Sequence, residues 1–354
     1  MKKLKLIISD LHLSAGAHMA DGSRNLLEDF FDDDILIEFI EHHGGPVYAD
    51  HQVELVVNGD FFNLLLDVED GPHERITEEV AVRQMRRIIE GHAAVFDALK
   101  AFCAQAKNRL ILIVGNHDAA LLFPRVQEEI HRRLDKPIRF EQAYVIDDIF
   151  VTHGHQYEFI HSFDMNNFTR RDNDGVPMLK LPWGSLFIIQ FLNPMKLHRH
   201  YIDKVMPFRY YLRWAFWNDN RFFWRLAGGI FRFWMGNRLS RDRYRRREFR
   251  LSPQRIANAM NHKPLFKTAS DILSKTRYRS VVFSHSHKID YRKVGEHGEY
   301  YNTGSWSNIV SLDVANLGKS HLRPYIQIRY ENETPHMSLQ NWIGSYKLHR
   351  EIIP

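Results

Sequence analysis

Cysteine is almost missing from this chain: Cys103 is the only one in 354 residues. That excludes an internal disulfide and a thiolate metal cage, and it suits a reducing compartment, so a cytoplasmic location is expected. Cys103 itself lies on an apolar, helix-like face and reads as a small core residue. Long hydrophobic runs are missing too. The longest uncharged stretch, Leu181 to Met195, falls short of a spanning helix and contains Pro182 and Pro194, so no transmembrane segment is expected. The basic start at Lys2 and Lys3 leads into an apolar run that Asp10 breaks at once. It is too short for a secretory signal and reads as a first core strand. The whole chain also lacks a strong charge imbalance, with a formal net charge of +5. The excess is local: from Arg199 to Arg250 there are 13 Arg and one Lys against four acidic residues.

What the chain does have is a repeated kind of strand ending. Leu110-Ile111-Leu112-Ile113-Val114 stops abruptly at Gly115-Asn116-His117-Asp118, as a buried parallel strand does when it delivers polar side chains from its C-terminal end. Leu4 to Ile8 runs likewise into Ser9-Asp10-Leu11-His12, and Val53 to Val57 into Asn58-Gly59-Asp60. Ile149 to Val151 runs into Thr152-His153-Gly154-His155, and Ser280 to Phe283 into Ser284-His285-Ser286-His287. Such ends are where α/β sheets keep their chemistry.

Between these runs the apolar spacing is helical. Leu26 to His42 reads as a helix interrupted at Asp32-Asp33-Asp34, a triplet better taken as a solvated turn or helix start than as a cation site. Glu74 to Ala106 reads as a long helical region broken at Gly91, residues 126 to 134 as another helix, and 138 to 151 as strands. This alternation predicts an α/β fold, an α+β sandwich with a mostly parallel inner sheet. After Tyr157 the chain becomes rich in Trp, Phe, Tyr and Arg, with prolines at 177, 182, 194 and 207. Residues 166–262 are therefore expected to form an inserted helical cap, and 1–165 with 263–354 the catalytic domain that flanks it.

The chemistry follows from the donors. Asp10 and His12, two apart, point to one side of an extended backbone and can share a cation. Asp60 offers two oxygens and can bridge two cations, Asn116 gives a neutral oxygen, and His153, His285 and His287 give nitrogens. A nitrogen and oxygen set without sulfur suits Mn²⁺ first, with Fe, Zn²⁺ or Mg²⁺ as alternatives. Two such ions side by side acidify a water and clamp a displacement at phosphorus.

Taken together, Asp10-Leu11-His12, Gly59-Asp60-Phe61-Phe62-Asn63, Gly115-Asn116-His117-Asp118, His153-Gly154 and His285-Ser286-His287 resemble the calcineurin-like metallophosphoesterases, in that family's order. The resemblance implies a two-sheet core with Asp10, His12, Asp60 and His287 on a first metal and Asp60, Asn116, His153 and His285 on a second. It implies that His117 serves the leaving group as general acid or electrostatic stabiliser, oriented by Asp118, with direct attack of an activated water and no covalent intermediate. Asn63 falls where the family often has a polar site residue. His155 is expected in a second layer or against phosphate. His42, His43, His51, His73, His92 and His131 are expected at the surface. One departure is Ser284, where the family usually has Gly; a left-handed backbone there would cost on the order of 1 kcal/mol.

The cap bears on the substrate. On a helical wheel Arg221, Arg225 and Arg232 share a narrow face, while Phe222, Phe223, Leu226, Ile230, Phe231, Phe233 and Trp234 cover the other. Asp219 or Asn220 is placed to cap the start. One reading sets the apolar side into an anionic membrane surface; the other packs it on the catalytic domain and leaves the arginines solvated. Arg241 to Arg250 fits a phosphate backbone, a lipid headgroup or a solvated helix end. Three functions are thus open. The first is hydrolysis of a phosphate ester, phosphodiester or pyrophosphate in a lipid- or nucleotide-linked substrate, for which the cap is similar in composition to that of the UDP-diacylglucosamine pyrophosphohydrolases. The second is a nuclease using the Arg-rich segment. The third is a non-catalytic scaffold of the same fold.

Overall fold

A computed structural model of the chain describes residues 2–353 apart from 20, 67–73, 173, 207, 251–263, 308, 312–317, 321 and 346–349. In chain order the first half runs β1 (Lys2–Ile8), α1 (Asp33–Gly44), β2 (His51–Asn58), α2 (Glu78–Gly91), α3 (Ala93–Ala104), β3 (Arg109–Ile113), α4 (Pro124–Leu134), β4 (Arg139–Glu141), β5 (Tyr144–Ile146) and β6 (Ile149–Val151). There follow β7 (Thr169–Arg171), β8 (Pro177–Leu179), α5 (Trp183–Phe187), α6 (Asn193–Lys196), β9 (Val205–Met206), α7 (Phe208–Asn218), α8 (Asn220–Arg238) and α9 (Arg243–Arg250). The last part is α10 (Leu265–Lys275), β10 (Ser280–Phe283), β11 (Ile289–Val294), β12 (Gly298–Thr303), β13 (Ile309–Ser311), β14 (Gly318–Ser320), β15 (Pro324–Glu331), β16 (Thr334–Asn341) and β17 (Arg350–Ile353). The expected far boundary of the insertion, at 262, lies outside the described residues.

Two sheets make the sandwich. The larger has the order β17-β16-β15-β1-β2-β3-β4 and the smaller β11-β12-β10-β6-β5. Side-chain alternation explains why they stack. Leu4, Leu6 and Ile8 of β1 join Leu36, Phe39, Val95 and Leu99 of the helices on one side, while Ile7, with Val56, Ile111 and Ile113, meets Val151, Val282 and Tyr301 of the second sheet on the other. Each such buried side chain contributes about 1.5–3 kcal/mol. Leu265 and Ala269 of α10 cover the outer face of the small sheet.

The expectation of a mostly parallel sheet needs correcting. The β1, β2, β3 and β4 pairs are parallel, but β15, β16 and β17 add antiparallel neighbours. In the small sheet β10 is parallel to β6 and β12, with antiparallel edges. The parallel strands at the centre are the ones whose endings carry the polar motifs. Antiparallel strands at the edge close by hairpins and leave no such mark in sequence.

The helical region 74–106 does break at Gly91, and for a physical reason. A Cβ there would lie 2.3 Å from the Ala15 carbonyl oxygen, so only glycine lets the loop after β1 cross the helix end. At its other end Thr77 caps α2 by accepting from Val80 N. Leu26 to Phe31 is not helical; α1 starts at the acidic triplet. That triplet is not simply solvated, since Asp32 pairs with Arg323 and Asp33 with His92. Two of the histidines expected at the surface, His43 and His92, are buried: His43 bonds the Phe39 carbonyl and His92 lies between Asp33 and Glu28. His73 falls outside the described residues.

Candidate metal centre

Register brings the donors together. Ile8 pairs with Val57, and Val57 with Leu112, so Asp10, Asp60 and Asn116 leave neighbouring strands at one edge. Val151 pairs with Val282 in the other sheet, and His153 and His285 leave there facing them. Leu11 N and His12 N both donate to the Asp60 carbonyl at 3.0 Å, tying the first loop to the second.

Five of these residues carry unusual backbone. Asp10, His12, Asp60, His285 and His287 all have φ between 51° and 63°. Left-handed backbone is uncommon outside glycine and collects at functional sites, held by the surrounding fold. It also corrects the reading of Asp10 and His12 as neighbours on an extended strand: a left-handed turn places them together. Ser284, expected to be strained, is not in this conformation; its neighbour His285 is. Its hydroxyl donates to the Asn58 carbonyl at 2.7 Å and lies 2.8 Å from His153 Nδ1.

One atom each of Asp10, His12, Asp60 and His287 lie within 4.8 Å of one another, and the same is true of Asp60, His153 and His285. Asn116 Oδ1 is 3.3 Å from His153 Nε2 and joins the second group. All seven predicted donors are thus brought together, with Asp60 common to both groups. The donors fit cations. Asp10 Oδ1 and Asp60 Oδ2 are buried without a hydrogen bond, and they face His287 Nε2 at 3.2 Å and His153 Nε2 at 3.1 Å. His12 Nε2 and His287 Nε2 are 3.1 Å apart, two lone-pair nitrogens converging as ligands do. His153 Nδ1 donates to the Asn58 carbonyl at 2.9 Å, which reserves Nε2 for the site. Glycine makes room: a Cβ at Gly115 would sit 2.1 Å from Asp60 Oδ1.

The electrostatics ask for positive charge. Burial lowers the His153 pKa, but the Asp60 and Asp10 carboxylates outweigh it and push it up to about 10. His12 goes the other way, down to about 3, through burial and then its neighbour His117. That neutral imidazole is the form that binds a cation.

His117 lies beside this group, its ring 4.5 Å from that of His12. The expected partner, Asp118, does not orient it. Asp118 Oδ1 accepts from Gly115 N at 2.6 Å and Oδ2 from Phe61 N at 2.9 Å, so it knits the two loops together. Burial, then Asp60, raises its pKa to about 7. His117 Nδ1 is instead 3.3 Å from Asn63 Oδ1. His155 is fully buried, stacked on Phe163, and belongs behind the site and not against a phosphate.

A cleft of about 220 Å³ opens over these groups, lined by His12, Asp60, Asn116, His117, His285 and His287 on one side. Ile188, Leu192, Asp203 and Lys204 line the other, with Asp29 and His161. Sequence reasoning missed Asp29, His161 and Glu158. Asp29 accepts from the buried Lys196 at 2.7 Å and from Lys204 at 3.1 Å, and no local motif marks such a pairing across 167 positions.

The family model for calcineurin-like phosphoesterases matches residues 5–289. The chain belongs to that family. No curated protein matches it. Among solved structures it is similar to a Streptococcus pneumoniae protein described as a predicted phosphoesterase, at 12% identity over 99% of this chain and 97% of that one, TM-score 0.30. It is also similar to a dimetal phosphatase from Danio rerio (11%, 99% and 98%, TM-score 0.38) and to Vps29 complexed with zinc from Entamoeba histolytica (10%, 99% and 98%, TM-score 0.33).

Proposed function

We propose that this chain hydrolyses a phosphate ester or phosphoanhydride with two divalent cations, Mn²⁺ first among them. Asp10, His12, Asp60 and His287 would hold one and Asp60, Asn116, His153 and His285 the other. The observation that carries this reading is Asp60, fully buried and within ligand distance of both histidine groups. Bound there, two cations supply charge neutralisation at phosphorus and an activated water.

The chain's own groups do the rest. Asp60 Oδ1 accepts from His117 N at 2.8 Å, which fixes the loop carrying the acid. Protonated His117 donates to Asn63 on one side and to the leaving oxygen on the other. Its burial lowers its pKa, which makes the imidazolium a stronger acid but a scarcer one, so turnover through it is expected to fall as pH rises.

The substrate we favour is lipid-linked, met at an anionic membrane surface by a cap formed from residues 166–262. Ile188 and Leu192 give the cleft an apolar wall. On α7 and α8, Trp217, Trp224 and Phe231 are 73%, 65% and 62% exposed, beside the exposed Arg213, Arg221, Arg225 and Arg232. Aromatic and basic side chains together suit an anionic interface. Among the described residues no helix is long and apolar enough to cross a membrane. The nuclease reading draws less support, because Arg245 pairs with Glu74 and Arg246 bonds the Ser240 carbonyl, leaving fewer arginines for a phosphate backbone.

The test is a Mn²⁺-supplemented hydrolysis screen over nucleotide diphosphate-lipids, aryl phosphate esters and oligonucleotides, run with Asp60→Asn alongside. Cleavage of the first class, and loss of both metal content and at least roughly 10³-fold of rate in the variant, is expected from a several kcal/mol metal contribution. Full activity in Asp60→Asn overturns the bridging role.

A further inference from the structure

His285 stands between two sets of neighbours. One is the Asp60 and His153 group. The other comes from the turn after β6, where Glu158 and His161 lie within 4.8 Å of a His285 ring nitrogen. Glu158 Oε2 accepts from His285 Nε2 at 2.6 Å, a short, charge-assisted contact. The His161 ring stands edge-on to that of His285, centroids 5.0 Å apart, with its Nε2 3.8 Å from Glu158 Oε2.

The turn is built to hold these two side chains. Glu158 N donates to the His155 carbonyl at 3.0 Å, and His161 N and Ser162 N both donate to the Glu158 carbonyl, at 2.9 and 2.8 Å. Behind His161 lies Gly184, the second residue of α5. A Cβ there would come 2.5 Å from His161 Nδ1, so the ring is wedged against the helix and cannot retreat.

We infer that Glu158 is a positioning residue for the second cation, acting through His285. With Nε2–H given to Glu158, the ring nitrogen left with a lone pair is Nδ1, and the carboxylate makes it a stronger donor while fixing the plane of the ring. His161, packed against Gly184, backs the pair. This couples the ion seat to the first turn of α5, the same helical stretch that continues to Ile188 and Leu192. The inference rests on the two-ion reading above, since only a bound cation gives the fixed tautomer a role.

The experiment is a calorimetric titration of the metal-depleted full chain with Mn²⁺. Wild type is expected to take up two equivalents. Glu158→Gln keeps an acceptor and loses the charge, so its second equivalent should bind roughly 10-fold more weakly; Glu158→Leu should lose roughly 100-fold. The first equivalent should be unchanged in both, and kcat at saturating Mn²⁺ should recover in Glu158→Gln. Should Glu158→Leu fail to fold, the near-isosteric Gln variant carries the test. Fewer than two equivalents in wild type overturns the two-ion reading and this inference with it. Two equivalents at unchanged affinity in the variants overturns this inference alone. So does a third equivalent lost in Glu158→Gln, which would make Glu158 a ligand and not a positioning group.

Discussion

The two walls of the cleft are made of different material. One is a row of strand endings, with five left-handed residues and carboxylates buried to the last atom; the other is a helical stretch that offers Ile188 and Leu192 and carries exposed tryptophans on the helices behind it. In the first, several donors are held by a second contact, His153 by the Asn58 carbonyl, His285 by Glu158 and Asp60 by the His117 backbone, as a site that must place charges to a fraction of an ångström requires. The second sets Ile188 and Leu192 beside Asp203 and Lys204. Cation donors and apolar surface thus come from separate parts of the chain.

Changes confined to one wall should leave the other's property intact. His117→Ala removes a group from the strand-end wall that binds no cation in this scheme. Metal content should stay at the wild-type level while turnover of an aryl phosphate falls roughly 10²- to 10³-fold; metal loss in that variant would tie His117 to the ions. On the helices behind the opposite wall, replacing Trp217, Trp224 and Phe231 together by Ser removes about 1 kcal/mol or more per side chain from any apolar interface. Sedimentation with vesicles containing phosphatidylglycerol should weaken by roughly 10²-fold, with aryl phosphate turnover unchanged. Equal binding of the variant and wild type would remove the membrane from the account.

The smallest effect concerns what holds the first loop in place. His92 is pushed up to about 9: burial lowers its pKa, but Asp33 and Glu28 outweigh it. A raised folded-state pKa gives stability that is complete below about 6.5 and lost as pH rises through about 9. His92→Gln should therefore unfold more easily in urea at pH 6, by about 2 kcal/mol, and the deficit should shrink above pH 9. A deficit independent of pH would mean that packing, not the ion pair, is what His92 supplies.

The strand-end wall was largely legible in sequence and the helical wall was not. Asp10, His12, Asp60, Asn116, His153, His285 and His287 announce themselves because each follows a buried apolar run, where a polar side chain needs a reason. Asn63 was visible as a polar site position, yet its link to His117 was misassigned to Asp118, since chain adjacency says nothing about which carboxylate a ring faces. Glu158 and His161 sit in a turn with no periodicity to read. On α8 the wheel separated Arg from aromatic correctly in angle but not in environment. Phe222, Leu226 and Phe233 are buried, whereas Trp224, Ile230 and Phe231 share the outside with the arginines. A wheel ranks faces by polarity; only the packing partner decides which one is covered. There Gly229 lets the helix approach Phe191, at a position where a Cβ would lie 2.8 Å from that ring.

Ile188 to Leu192 forms a π turn between α5 and α6, with one residue more per turn than an ordinary helix. That wider winding absorbs one extra residue inside an otherwise α-helical stretch, so taking out a single residue restores the ordinary turn and leaves α6 facing nearly as before, since five residues at roughly 80° and four at about 100° sweep almost the same arc. A one-residue deletion there would trim the apolar strip of Ile188 and Leu192 over the cleft without turning the helix that follows.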